Sequence, residues 1–256
     1  MKILKAAVQK SGFPEGTVDL VEDTSRQSAN DLMKLKYLDL LIPRGGASLI
    51  RATVENATVP VIETGVGNCH TFVDESADLK MAVEIVENAK CSRPSVCNAL
   101  ETLLIHKNVA EKVLPLIDDA LKKHNTELRG CSKTCEILSS AVKAKNEDYE
   151  TEFLDYILAV KVVDCLDDAI AHIREFSTGH SECIVTNDYH NAERFVNELD
   201  AAALYINASS RFTDGGQFGM GAEIGISTGK LHARGPMGIK DLTTVKYIVR
   251  GNGQIR

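Results

Sequence analysis

The stretch Ser92-Arg93-Pro94-Ser95-Val96-Cys97-Asn98-Ala99-Leu100-Glu101-Thr102-Leu103-Leu104-Ile105-His106 sets a thiol between a proline-containing turn and a run of apolar and β-branched residues. Thr102 to Ile105 reads as a buried strand. Pro94 disfavours helix at Arg93, so the chain approaches the thiol extended or turning. Cys97 is therefore predicted on a turn or short helix start just ahead of a strand. A thiol at a helix start meets backbone N–H groups and the positive end of the dipole. Both favour the thiolate, and the same N–H groups can hold an oxyanion. The residues alone leave two readings open: a small buried hydrophobe, or a nucleophile.

Working outward, residues 77–89 put Leu79, Ala82, Val83, Val86 and Ala89 on one helix face. The strand Cys69-His70-Thr71-Phe72-Val73 precedes it; His70 and Cys91 read as packing residues. Farther upstream, a helix over 2–10 is stopped by Gly12 at its C′ position. A turn at 13–16, a short strand over 18–21 and a helix capped by Thr24 or Ser25 follow. Then come a strand over 38–43, a helix over about 46–56 and a strand over 59–62. Downstream, Asn108-x-x-Glu111 resembles a capping box ahead of an amphipathic helix. A polar stretch begins at Glu127, and 143–151 reads as a charged surface loop. A strand over 157–163, a helix over 166–176, a strand over 183–185, a helix over about 191–199 and a strand over 202–207 complete the series. Strand and helix alternating at short spacing mean βαβ units and a parallel sheet, so the fold class is α/β.

The 256 residues suit one large domain or two ordinary ones. A formal net charge of −7 argues against a nucleic-acid or anionic-membrane partner. No apolar run is long enough to span a bilayer, and Met1-Lys2-Ile3-Leu4-Lys5 has no signal-peptide core. Seven scattered cysteines without a secretory signal point to a reducing cytoplasm. Cys131-x-x-x-Cys135 lacks the second pair or nearby histidines of a zinc site, so no metal is expected.

Several polar residues carry chemistry by their type and place. Arg44-Gly45-Gly46 falls between a strand and a helix, where it is either an anion site or a plain turn. Glu63-Thr64-Gly65-Val66-Gly67 places a carboxylate at the end of a strand, followed by glycines, where α/β folds put ligands. Glu152 precedes a strand, and carboxylate to sugar hydroxyl is a charge-assisted contact. His180 lies in a glycine-containing loop and is expected to be accessible. Arg211 lies in the polar loop 207–216, and its fork matches a carboxylate.

Ser92 to Thr102, together with Ile62-Glu63-Thr64-Gly65-Val66-Gly67-Asn68, closely resembles the γ-glutamyl phosphate reductases of the aldehyde dehydrogenase superfamily. The resemblance runs to Gly251-Asn252-Gly253-Gln254-Ile255-Arg256. It implies a partial Rossmann-type NADP-binding domain over 1–88, a catalytic domain over 89–233 and an oligomerisation arm over 234–256, the last using an alternating strand at 243–250. It makes Cys97 the nucleophile and puts Glu63 where hydrolytic relatives keep a general base. Arg44, Gly45, Gly46, Thr64 and Gly65 would then border the cofactor, with Glu152 on the ribose beside nicotinamide. Asn98, His180 and Arg211 would contact substrate. The implied activity is NADPH-dependent reduction of L-glutamyl 5-phosphate to glutamate 5-semialdehyde through a cysteinyl thioester, in proline biosynthesis. A cytoplasmic homo-oligomer is expected, with glutamate 5-kinase as a further partner. Two other readings are an acylating dehydrogenase acting on a CoA thioester and an inactive remnant serving as an oligomerisation module. Residues 1–88 match only the second half of the cofactor domain, so weak cofactor binding and little activity are expected of the chain alone.

Overall fold

The structure, a computed structural model, describes residues 1–256 except the side chain of Ala47. It divides into two units, Met1–Val61 and Ile62–Arg256.

The first unit holds helices α1 (Lys2–Lys10), α2 (Arg26–Leu32) and α3 (Ala47–Asn56). Gly12 follows the end of α1 at φ +81°, a conformation that favours glycine. Ser25 caps α2 by accepting the Ser28 N–H at 3.1 Å. The strands expected over 18–21, 38–43 and 59–62 are not formed as ladders. A single parallel bridge, Leu41 to Val61, is what remains of the last two. Leu20 and Val21 stand more than half exposed, so residues 18–21 have no face to bury.

The second unit is built on a seven-stranded parallel sheet in the order β4-β3-β5-β2-β1-β6-β7. The strands are β1 (Cys69–Val73), β2 (Leu100–His106), β3 (Glu127–Gly130), β4 (Val142–Lys143), β5 (Ile157–Val163), β6 (Ser181–Val185) and β7 (Ala203–Ile206). The connecting helices are α4 (Leu79–Cys91), α5 (Lys107–Lys122), α6 (Ser132–Ile137), α7 (Leu166–Phe176) and α8 (Tyr189–Glu198). Helices α4 and α5 pack one apolar cluster with Leu100, Leu103 and Ile105. Helices α7 and α8 pack another with Phe72, Leu104 and Ile184. Neighbouring side chains on a strand point to opposite faces, so β2 feeds both cores and every one of its residues is buried. That double burial is why its sequence reads as a nearly continuous apolar run.

The compact unit that holds the sheet begins at Ile62, and position 88/89 lies within α4. Several expectations are corrected here. The start of α5 is capped by His106, whose Nδ1 accepts the Asn108 N–H at 3.2 Å; the Asn108 side chain instead donates to Glu75 at 2.7 Å. Glu127 opens strand β3, whose Leu128 is buried. The stretch 143–151 includes a 3-10 turn, Asn146–Tyr149, with Asp148 and Tyr149 buried. A short hairpin, β8 (Gly225–Ser227) with β9 (Gly235–Met237), follows the main sheet. Residues 243–250, expected as a strand, join no ladder within the chain; Tyr247 is 91% and Val249 90% exposed. Among the described residues, no helix is long and apolar enough to cross a membrane.

Candidate active site

In a parallel sheet the N-terminal ends of adjacent strands share one edge. Here the segments entering β5, β2, β1 and β6 converge there, carrying Glu152, Cys97, Gly67 with Asn68, and His180. Asn68 stitches this edge together. Its Nδ2 donates to the Tyr149 and Phe176 carbonyls at 2.7 and 2.8 Å, and its N–H donates to Thr178 Oγ1 at 3.1 Å.

Cys97 is half-buried, in a turn between the C-terminal end of α4 and β2. It does not stand at a helix start, so the dipole argument for its thiolate does not apply. What holds it is tertiary. The buried Cys69 thiol donates to the Cys97 carbonyl at 3.2 Å. Gly67 packs so closely that a Cβ there would lie 1.5 Å from the same oxygen. The Gly67 N–H donates to Glu152 Oε1 at 2.7 Å. Burial raises the Glu152 carboxyl above its ordinary value, and that hydrogen bond opposes the rise.

The segment carrying Glu152 is braced from behind. Glu101 Oε1 accepts the Leu154 N–H at 3.3 Å, and Glu101 Oε2 pairs with Lys90 at 2.7 Å, both side chains at zero exposure. Burial pushes the Glu101 carboxyl up to about 7 and draws Lys90 down. A second network fixes the entry to β6: Glu182 accepts His70 Nδ1 at 3.0 Å, the His70 N–H at 2.9 Å and the Ser177 hydroxyl.

The predicted site residues fare differently. Glu63 lies half-buried in the segment leading into β1, not at the end of a strand; the next residue, Thr64, bridges Ser227. Gly65 faces Thr228, whose Oγ1 would be 2.7 Å from a Cβ placed there. His180, expected to be accessible, is fully buried, with Nδ1 3.0 Å from Ser181 Oγ and 3.8 Å from Cys69 Sγ. Burial draws its imidazole down to about 4, so the ring is neutral at physiological pH. The Asn98 side chain is also buried and committed. Its Nδ2 donates to the Ser210 and Thr213 carbonyls at 3.0 and 3.1 Å, and its Oδ1 accepts from Arg211. Ser210 Oγ donates to the Asn98 carbonyl at 2.7 Å. Asn98 thus joins the Cys97 turn to the loop bearing Arg211. The Arg211 Nε is buried without a hydrogen-bond partner among the described residues.

In the first unit, Gly46 precedes α3 as its N-cap, in extended conformation, and makes no side-chain cap to the first N–H groups of the helix. Arg44 and Gly45 are exposed beside it. This donor set fits a phosphate, and the Glu152 carboxylate fits sugar hydroxyls.

Sequence reasoning did not assign roles to Cys69, Lys90 or Glu101. A charge inside the apolar run of β2 was a signal, because a buried carboxylate requires a partner. Nothing in the sequence marked Cys69 as the neighbour of Cys97.

The aldehyde dehydrogenase family matches the chain over residues 1–134 and 137–248. A γ-glutamyl phosphate reductase of Heliobacterium modesticaldum is 61% identical over 257 positions, covering 100% of this chain and 62% of that protein. The crystal structure of γ-glutamyl phosphate reductase from Thermotoga maritima superposes with a TM-score of 0.94 at 54% identity, covering 100% of this chain and 62% of that one. An acetylating aldehyde dehydrogenase from Geobacillus thermoglucosidasius shares the fold, with a TM-score of 0.76 at 19% identity, covering 99% of this chain and 66% of that one. The chain spans about 62% of the length of the curated relatives it matches.

Proposed function

Because the chain belongs to the aldehyde dehydrogenase family, we propose that its Cys97 site reduces L-glutamyl 5-phosphate to L-glutamate 5-semialdehyde and phosphate, a step of proline biosynthesis. The Cys97 thiolate attacks the acyl carbon and phosphate departs, leaving a thioester. A nicotinamide cofactor, NADPH in this reading, would supply the hydride when bound. The resulting hemithioacetal collapses to the aldehyde and returns the thiolate.

The observation that carries this reading is the link from Cys97 through Asn98 to Arg211. A half-buried guanidinium with an unpartnered buried Nε suits an anion. The α-carboxylate of glutamyl phosphate is such an anion, and Arg211 would hold it while the acyl carbon meets Cys97. Asn98 aligns the two loops. The buried, neutral His180 packs beside Cys69 and Ser181, which leaves it out of reach of phosphate in this reading. Glu63 belongs to the segment entering the site; the reaction contains no hydrolysis, so it needs no base to activate water. Glu152 would accept the ribose hydroxyls, with Thr64 and Gly65 in the neighbouring segment; Arg44, Gly45 and Gly46 would take a cofactor phosphate. The exposed segment 243–250 supports pairing between copies in a homo-oligomer. A glutamate 5-kinase, as supplier of the acyl phosphate, is the partner this reading implies. The reading places the protein in the cytoplasm, where thiols stay reduced.

The test is the reverse reaction. The chain is mixed with glutamate semialdehyde, inorganic phosphate and NADP, and formation of reduced cofactor is followed by absorbance beside Cys97→Ala. Phosphate-dependent, Cys97-dependent reduction is expected. A signal that requires CoA in place of phosphate, or none that depends on Cys97, would overturn the assignment.

A further inference from the structure

We propose that Cys69 and Glu152 position the nucleophile, clamping the Cys97 peptide through its carbonyl and through Gly67 before substrate or cofactor arrives. The inference rests on Cys97 being the nucleophile.

The clamp begins with a register shift. Cys69 pairs with Leu100 but His70 pairs with Thr102, so Glu101 is an extra residue on β2. Such a bulge bends its strand and re-aims what precedes it. Here it delivers the Cys97 carbonyl, three residues before Leu100, to the Cys69 thiol. Burial pushes that thiol well above its ordinary value, so it stays protonated and remains a donor. Gly67, in the same segment as Cys69, brings its bare Cα against the same carbonyl. The Glu152 carboxylate holds the Gly67 amide. Glu101, which accepts from Leu154 and pairs with Lys90, backs the Glu152 segment. Two segments, 67–69 and 152–154, are thereby locked against the Cys97 peptide.

The consequence is that Glu152 has work to do without a cofactor. A residue serving only the ribose would be silent in cofactor-free chemistry at Cys97. The separating experiment is alkylation of Cys97 by iodoacetamide in the full chain, with no substrate or cofactor, followed by peptide mass spectrometry. The exposed Cys165 serves as internal reference. Glu152→Gln keeps an oxygen for the Gly67 amide, and Cys69→Ser keeps a donor for the Cys97 carbonyl. Glu152→Ala and Cys69→Ala keep neither. Each alanine variant should differ from its conservative counterpart by about fivefold in alkylation rate, the factor expected for one lost hydrogen bond. Cys165 should react at an unchanged rate in all four. Equal rates within each pair, or equal slowing of both members, would overturn the proposal. Should one alanine variant fail to fold by circular dichroism, the other pair decides alone. Alkylation needs neither acyl phosphate nor NADPH, so its outcome is independent of whether the reductase assignment holds.

Discussion

Gly67→Ala is the sharpest perturbation of this site. The added Cβ would lie 1.5 Å from the Cys97 oxygen, 2.5 Å from its carbonyl carbon and 3.0 Å from its Cα. All three are backbone atoms, so no rotamer change relieves the clash. To restore even a 3.0 Å contact, the carbonyl and Gly67 must separate by about 1.5 Å. Such a separation strains the Cys69 bond to the carbonyl and the Gly67 bond to Glu152. A displacement near 1 Å at a reacting group costs about 100-fold in rate, and overpacking costs about 1–3 kcal/mol in stability. The variant should therefore lose roughly 100-fold in Cys97-dependent turnover of the reverse reaction and unfold at lower urea, with a loss of about 1–3 kcal/mol. Gly46→Ala is the control: nothing lies within 4 Å of its Cβ position and φ is −71°, so stability should hold. A Gly67→Ala chain with wild-type turnover and urea midpoint would show that Gly67 does not fix the Cys97 peptide.

Removing Lys90 strands a buried carboxylate. Lys90→Met should cost about 3–5 kcal/mol in urea titration, and adding Glu101→Leu should recover much of it; equal losses in single and double variants would refute the pairing. His180 is held near 4 in the folded chain against 6.5 ordinarily, so its neutral ring favours folding above 6.5, and that contribution is lost as pH falls toward 4. His180→Asn should remove up to about 1.4 kcal/mol per pH unit from the slope of stability across this window. Comparing the two slopes isolates His180 from Glu101, whose value raised to about 7 acts in the opposite direction. Arg211→Lys should raise KM for glutamate semialdehyde about 10- to 100-fold, as for loss of a charged hydrogen bond. An aldehyde lacking the α-carboxylate should be insensitive to the change; equal loss for both would remove Arg211 from substrate recognition.

Much of the second unit was legible because its strands are short, apolar and separated by amphipathic helices. The helix expected at 166–176 is α7 with the same bounds, and the strand expected at 157–163 is β5. Those periods come from burial on one helix face or both strand faces, and burial is written in residue type. The strands expected at 18–21 and 243–250 had the same local pattern, yet they join no ladder. A strand needs a neighbour to accept its hydrogen bonds, and local composition cannot supply one.

The site divides along the same line. Cys97 in its turn ahead of a buried strand, Glu152 ahead of another and the arginine loop at 207–216 were all readable from residue type and order. Their joining was not. Gly67 meets Glu152 across 85 positions, and Asn98 meets Arg211 across 113. The order of strands in the sheet sets those meetings, placing β1 and β2 between β5 and β6. His180 shows the limit most plainly. A glycine-flanked histidine before a strand reads as exposed, but Ser181 and Cys69 enclose it. The sequence by itself determined which segments bury their side chains and which residues bring a thiol, carboxylates and a guanidinium. Only the tertiary structure decided which of these stand together and which are enclosed, because both depend on contacts between segments far apart in the chain.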